Sequence, residues 1–194
     1  MKSYRPSPEN SSDFIYSKIT SYNIVVINDI HLDLDYKPGS SAECISSLCC
    51  ESTSIAKNPS NPNQKKAGYW GTLASCDLPI HTLEESLKVI KEKIKPDMIY
   101  WLGDNAVHKI ELYNSEMPLE YTKTIVRKFV EILKDYKVFP VLGNHENIPA
   151  DQYNFLTKQF SEITKLYEPI FVDKDTYKQF EENRYYKFLD TQKN

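Results

Sequence analysis

Three short runs of apolar residues recur along the chain, and each run ends in polar side chains. The runs lie within YNIVVIN (22–28), DMIYWLGD (97–104) and KVFPVLGNHE (137–146), and each predicts a β-strand. The first run is apolar enough to predict a strand that is covered on both faces, as in a parallel sheet.

Helical periodicity follows each predicted strand. After the first, Thr82 and Glu85 form a capping-box pattern, which predicts a helix that begins at Thr82 and ends before Pro96. A second helix is predicted over about 118–135 and a third over about 151–166. The apolar positions that define the three helix faces are Leu83, Leu87, Ile90 and Ile94; Leu119, Val126, Phe129, Val130 and Leu133; and Tyr153, Leu156, Phe160, Ile163 and Tyr167.

This alternation of strands and helices predicts an α/β fold built on a largely parallel sheet. Residues 1–20 resemble a linker, and residues 36–79 form a long loop rich in Ser, Pro, Asn and Cys. RYYKFL, residues 184–189, is a candidate for one further strand in an otherwise polar tail. We therefore expect an N-terminal linker followed by one domain over residues 21–194.

Composition and charge exclude some classes of partner. The 24 basic and 27 acidic side chains give a net charge of -3, and no basic stripe indicates a nucleic-acid polymer as a partner. No window reaches the roughly 18 consecutive apolar residues that a transmembrane segment needs. The N-terminus is polar and lacks the apolar core of a secretory signal peptide.

The four cysteines, Cys44, Cys49, Cys50 and Cys76, cluster in or beside the long loop. Their spacing offers neither a C-x-x-C motif nor a histidine pair, so it favours two disulfides over a zinc finger. The alternative is four reduced thiols in a cytosolic protein. Disulfides would indicate that the protein matures in an oxidising compartment.

Metal-competent side chains follow all three predicted strands. Asp29 and His31 come after the first, Asp104 after the second, and Asn144 and His145 after the third. In open α/β sheets, ligands bind outside the carboxyl ends of the strands. Each motif alone is weak evidence, because Gly-Asp is ordinary turn chemistry. Their succession predicts one shared site.

These motifs resemble the calcineurin-like metallophosphoesterases and, within them, the acid sphingomyelinase-like phosphodiesterases. The resemblance spans residues 22–172 and rests on DIHLDLDY, CISSLCC, GYWGTLASCDLP, IYWLGDNAVH and FPVLGNHE. It implies a metallophosphoesterase-type β-sandwich flanked by helices, of which this chain contains the first β-α-β half. It also implies hydrolysis of a phosphodiester by a hydroxide that two metal ions activate.

The resemblance further implies a role for each site residue. Imidazole and carboxylate ligands suit zinc, so we expect two divalent ions, both Zn²⁺. His108 and His145 would be the catalytic groups that face the substrate phosphate. The implied metal ligands are Asp29 and His31 for one ion, Asp104 as the bridge between both ions, and Asn144 for the second.

The cysteine pairing and the substrate class are also implied by the resemblance. The disulfides would join Cys44 to Cys49 and Cys50 to Cys76, and they imply a secreted or lysosomal protein. The implied substrate is a phosphodiester, either sphingomyelin or a related lipid, with contact to a lipid surface, or a nucleotide.

Other polar residues near the motifs are expected to have different roles. We expect Glu146 to hold the G-N-H loop in place. Asp33 and Asp35 are expected to be loop or capping carboxylates, and His81 is expected to have no part in the chemistry.

The chain departs from the family pattern because no histidine follows His145, whereas relatives add three from the second half of the domain. The first ion would keep Asp29, His31 and Asp104, and the second only Asp104 and Asn144, which makes a weak zinc site. We therefore expect low activity from this chain alone and an origin within a longer enzyme. Two other functions stay open: a catalytically inactive module that binds metal or phosphate, and a nucleotide phosphoesterase.

Overall fold

The computed structural model shows a mixed α/β architecture, as the sequence pattern predicts. The expected linker, residues 1–20, and the helix positions Tyr153 and Leu156 lie outside the part of the chain that the structure describes. The described residues are 21–109, 116–147, 149–152 and 158–189.

The strands and helices follow one another in the predicted alternation. A π-helical turn, Ile90–Ile94, extends the first helix, and 3-10 turns cover Asn144–Glu146 and Glu168–Ile170. Among the described residues, no helix has the length and apolar character to cross a membrane. In chain order the elements are β1 (Ile24–Ile27), β2 (Leu32–Asp33), β3 (Leu78–Pro79), α1 (Ile80–Val89), β4 (Met98–Trp101), α2 (Met117–Leu133), β5 (Val138–Pro140), α3 (Lys158–Leu166) and α4 (Lys174–Asn183).

The central sheet is parallel and has the strand order β1, β4, β5. In its register Val26 of β1 pairs with Tyr100 of β4, which pairs with Phe139 of β5. Helix α1 precedes β4 and α2 precedes β5, so each parallel step is made by a helical crossover. As a result, all three strands end at the same edge of the sheet.

Helices α1 and α2 cover one face of this sheet and form the hydrophobic core with it. The ring of Trp101 in β4 stacks on Phe129 of α2, with 4.5 Å between the ring centroids. Leu83 and Leu87 of α1 are buried in the same cluster. Full burial of such a side chain stabilises the fold by about 1.5–3 kcal/mol.

The opposite face of β1 is open, so the prediction of a strand covered on both faces is wrong. Ile24 and Val26 are 43% and 57% exposed, whereas Val25 and Ile27 pack against the core. The reason is that α1 and α2 both pack on the other face of the sheet, and no described element covers β1 on this one.

The predicted capping box at Thr82 is also wrong. Helix α1 begins at Ile80, directly after Pro79, and it has no side-chain cap. The hydroxyl of Thr82 instead donates to the carbonyl of Trp70 at 3.0 Å, because the long loop folds back over the start of the helix. The predicted stop is confirmed, since Lys95 takes a left-handed conformation.

The C-terminal segment contains a helix where the sequence suggested a polar tail and a strand. Helix α4 begins after Asp173, whose carboxylate accepts from the backbone of Thr176 at 2.7 Å. Residues 184–189 form no strand. The hydroxyl of Tyr186 donates to the carbonyl of Pro140 at 2.9 Å, which holds this segment beside β5.

Two disulfides organise the long loop, and their pairing is the one that the resemblance implies. Cys44 is joined to Cys49, and Cys50 is joined to Cys76. The second bond links positions 26 residues apart, so it joins the end of the loop to a position in its interior.

Candidate metal centre

Two of the strand ends bring three of the predicted metal ligands together. Because β4 is the central strand, Asp104 lies between the loops that follow β1 and β5. One ligand atom each of Asp29, His31 and Asp104 lies within 4.8 Å of the others. Two carboxylates and one imidazole fit a borderline divalent cation such as zinc.

All three of these residues have a positive φ angle, as do four other non-glycine residues in the described part of the chain. Their φ angles are 51° for Asp29, 38° for His31 and 56° for Asp104, in the left-handed region that residues other than glycine rarely adopt. Each such conformation costs about 1–3 kcal/mol and persists where the surrounding structure enforces it. The grouping of three such residues at one edge of the sheet is typical of a functional site.

Two glycines allow the loops after β4 and β5 to touch. A Cβ atom at Gly103, which has a φ of +84°, would lie 2.1 Å from the backbone nitrogen of Gly143. A Cβ atom at Gly143 would lie 2.4 Å from Oδ1 of Asp104. Both positions therefore exclude larger residues. The close contact that the two glycines allow fixes the position of the Asp104 carboxylate.

The buried carboxylate of Glu146 connects the same two loops. It accepts hydrogen bonds from the backbone of Asn105 at 2.7 Å, Asp104 at 3.1 Å and Gly143. Burial raises the pKa of Glu146 to about 7, although these hydrogen bonds lower it. The geometry agrees with the expectation that Glu146 holds the G-N-H loop.

The loop after β5 brings His145 to the site, and Asn144 precedes it in the same 3-10 turn. The backbone of His145 donates to Oδ1 of Asp104 at 2.9 Å, which joins this loop to the central carboxylate. The amide nitrogen of Asn144 donates to Asp151 at 2.7 Å. The amide oxygen of Asn144 is therefore its only side-chain atom that can bind a cation.

Three imidazoles lie side by side at the site. The ring centroid of His31 is 3.8 Å from that of His108 and 4.8 Å from that of His145. Nδ1 of His31 donates to the carbonyl of Ala106 at 2.8 Å, so Nε2 is its ligand atom. Burial lowers the pKa of His145, and the neighbouring His31 lowers it further.

Asp77 is a site residue that the sequence pattern missed. Its carboxylate accepts from Nδ1 of His108 at 2.8 Å and from the backbone nitrogen of His108 at 2.7 Å. Asp77 follows Cys76, so the disulfide to Cys50 anchors it. The one signal was its position in GYWGTLASCDLP, directly after a cysteine of the predicted framework.

His81 lies in a different environment from the other histidines. Its ring packs on Tyr69, with 4.3 Å between centroids, and its Nε2 hydrogen-bonds to the carbonyl of the same residue. This location at the start of α1 is consistent with the expectation that His81 takes no part in the chemistry.

Comparison with known proteins identifies the family. The family model for calcineurin-like phosphoesterases matches residues 22–192. The chain belongs to the calcineurin-like phosphoesterase family. The resemblance that the strand-end motifs indicated is thereby confirmed.

Curated relatives of this chain include sphingomyelin phosphodiesterases. It is 35% identical over 130 residues to "Sphingomyelin phosphodiesterase" of Bos taurus and 34% identical over 130 residues to that of Homo sapiens. Each of these alignments covers 67% of this chain and 20% of the relative. "Sphingomyelin phosphodiesterase A" of Dictyostelium discoideum is 30% identical over 171 residues, which cover 86% of this chain and 27% of the relative. The chain thus spans between 20% and 27% of the length of these relatives.

Proposed function

We propose that this chain carries the metal-binding site of a phosphodiesterase of the sphingomyelin phosphodiesterase type. The observation that supports this most is the convergence of Asp29, His31 and Asp104 at the carboxyl edge of the sheet. Family membership and the names of the relatives support hydrolysis of a phosphoric ester bond as the reaction.

The proposed ligands divide between two zinc ions according to their place at the sheet edge. Asp29 and His31 bind the first ion, and Asn144 binds the second. Asp104 bridges both, which its position on the central strand supports. When bound, two such ions lower the pKa of a coordinated water and polarise a phosphoryl oxygen of the substrate.

His108 and His145 are proposed to act on the phosphate from beside the ligands. Because Asp77 accepts from Nδ1 of His108, the Nε2 atom of that ring is the one that can face a substrate. We assign His108 as the donor of the proton that the departing alcohol oxygen takes up. The lowered pKa of His145 favours its neutral form, which suits it to hydrogen-bond a phosphate oxygen.

The proposed substrate is sphingomyelin or a related phosphodiester lipid, reached at a lipid surface. The names of the relatives support this choice over a nucleotide. We further propose a lysosomal or extracellular location, which the two disulfides support because such bonds persist in oxidising compartments.

Turnover by the purified 194-residue chain tests this proposal. With zinc present, we expect slow hydrolysis of sphingomyelin in detergent micelles, in keeping with the weak second metal site, and its loss in Asp29→Asn and His145→Ala. His81→Ala is the matched control and should keep the wild-type rate. An unchanged rate in Asp29→Asn or His145→Ala would contradict the site assignment. Hydrolysis of a nucleotide diester but not of sphingomyelin would refute the lipid substrate alone, and metal binding without turnover would favour an inactive binding module.

A further inference from the structure

Three carboxylates outside the proposed zinc site lie together at the start of the long loop. One oxygen each of Asp33, Asp35 and Glu51 lies within 4.8 Å of the others. Asp33 ends β2, and Asp35 follows in the next turn. Glu51 lies beside them because it pairs with Tyr36 in an isolated antiparallel bridge. None of the three is a ligand of the proposed zinc ions, so this acidic cluster is a separate feature of the molecule.

One oxygen of Asp33 is buried without a partner. Asp33 is only 1% exposed, and its Oδ1 accepts a hydrogen bond from the backbone nitrogen of Asp35 at 2.8 Å. Its Oδ2 has no hydrogen-bond partner among the residues that the structure describes. Buried polar atoms in proteins are almost always satisfied by the protein, by water or by an ion. Oδ2 of Asp33 is therefore the atom of the acidic cluster that calls for a bound partner.

Lys109 neutralises only part of the charge of the acidic cluster. Its ammonium group donates to Oε2 of Glu51, and the hydroxyl of Thr53 donates to the same oxygen at 3.4 Å. Both contacts fall on Oε2, so Oε1 of Glu51 is available to a further ligand. Three ionised carboxylates beside one ammonium group leave two negative charges uncompensated, and like charges so close together repel one another. A divalent cation matches this charge.

The ligand atoms of the acidic cluster and their spacing favour calcium. Hard cations such as Ca²⁺ prefer carboxylate oxygens, whereas zinc prefers sites that include imidazole or thiolate. Ca²⁺ binds oxygens at about 2.3–2.6 Å, so two oxygens on opposite sides of the ion lie about 5 Å apart. The separations of at most 4.8 Å therefore allow one Ca²⁺ ion to contact all three carboxylates. Because Asp35 is exposed, water can complete the coordination shell.

We propose that Asp33, Asp35 and Glu51 bind a Ca²⁺ ion that joins the start of the long loop to its interior. The ion connects residues 33–35 with residue 51, and the disulfide between Cys50 and Cys76 connects the interior of the loop with its end. Together they hold the whole loop against β2. The inference does not depend on the proposed function, because the zinc ligands and the groups assigned to the substrate are different residues.

Isothermal titration of the 194-residue chain with calcium chloride tests this site. We expect the wild type to bind Ca²⁺ with a Kd of about 0.1–1 mM, the range of calcium sites in extracellular modules. Asp33→Asn and Glu51→Gln should each weaken binding by at least about 10-fold, because each removes a ligand charge. Glu43→Gln is the matched control, since Glu43 is an exposed glutamate of the same loop, and it should leave the Kd unchanged.

Two further variants distinguish the acidic cluster from the strand-end zinc centre. Asp29→Asn should keep the wild-type Kd for Ca²⁺, because Asp29 belongs to the zinc centre. Lys109→Gln should bind Ca²⁺ several-fold more tightly, because its ammonium group no longer competes with the ion for Glu51. Far-ultraviolet circular dichroism checks that each variant is folded.

Three results would overturn the inference: no Ca²⁺ binding by the wild type at millimolar concentrations, an unchanged Kd in folded Asp33→Asn, or loss of binding in Asp29→Asn. If Asp33→Asn does not fold, Asp35→Asn at an exposed position takes its place, with the same expected weakening. Because the titration contains neither zinc nor substrate, failure of sphingomyelin hydrolysis would count against the proposed function and leave the calcium result unaffected.

Discussion

At the scale of single residues, Gly103 tests how tightly the loops of the metal centre must pack. A Cβ atom there would meet the backbone of Gly143 at 2.1 Å, whereas one at Gly39, with a similar φ of +85°, would meet nothing within 4 Å. We expect Gly39→Ala to cost about 1–2 kcal/mol from the left-handed backbone alone. Gly103→Ala should cost about 3 kcal/mol or more. Urea denaturation measures the loss of unfolding free energy in both variants. Equal losses would contradict the close approach of the loops after β4 and β5.

Asp33 gives the metal-free protein a pH-dependent stability. Its side chain is buried, and one carboxylate oxygen has no hydrogen-bond partner in the described part of the chain. Burial raises the pKa of Asp33 from 3.8 to about 7. The folded state keeps this proton while the unfolded chain releases it, so the contribution of Asp33 to the unfolding free energy is fully present below pH 3.8 and is lost as the pH rises towards 7.

Replacement of Asp33 should flatten this decline. One titrating proton contributes a slope of about 1.4 kcal/mol per pH unit between the two pKa values. We expect the slope of the unfolding free energy to be shallower in Asp33→Asn and unchanged in Asp135→Asn, which alters an exposed carboxylate. Urea denaturation in chelator from pH 4 to pH 7 measures it. Equal slopes in the wild type and Asp33→Asn would show that the buried carboxyl group does not hold the proton.

The sequence predicted the residues that carry their own local signal. Asp29, His31 and Asp104 each end an apolar run, and parallel strands place such ends together. The role of Asp77 depends on its contact with His108, 31 residues away in sequence, and no local pattern encodes that contact.

At the scale of elements, the two disulfides should differ in their contribution to stability. Cys50 and Cys76 are 26 residues apart, and Cys44 and Cys49 are 5 apart. Loop-closure entropy then predicts losses of about 3.5 and about 2 kcal/mol when each pair is replaced by alanine. Guanidinium denaturation of the two double variants tests this, with each serving as the control for the other. A larger loss from the Cys44 and Cys49 pair would contradict it.

Elements were predictable where periodicity alone decides them. Helices α1 and α2 and the three sheet strands lie where the apolar pattern places them. The predicted start of α1 was wrong because the hydroxyl of Thr82 hydrogen-bonds to the carbonyl of Trp70, 12 residues away, instead of capping the helix. Helix α4 was missed because its sequence is mostly polar, and only Thr176 and Phe180 are buried in it.

At the scale of the whole molecule, the open face of the sheet should bind apolar dyes. Val26 and Tyr100 are paired on this face, and both are exposed. We expect Val26→Lys to lower the fluorescence of a bound naphthalene sulfonate dye, because a charge interrupts the apolar patch. Ile45→Lys, at an exposed residue of the disulfide loop, should leave the signal unchanged. The same signal in Val26→Lys as in the wild type would contradict an apolar patch on this face.

The most direct test of a metal centre at the strand ends is whether zinc binding requires His31. His31 is the imidazole of the proposed site with Asp29 and Asp104, so its loss removes one of the three clustered ligands. Elemental analysis after gel filtration should find about one zinc ion per chain or more in the wild type and in His81→Ala, and almost none in folded His31→Ala. Wild-type amounts of zinc in His31→Ala would contradict a metal centre at the strand ends.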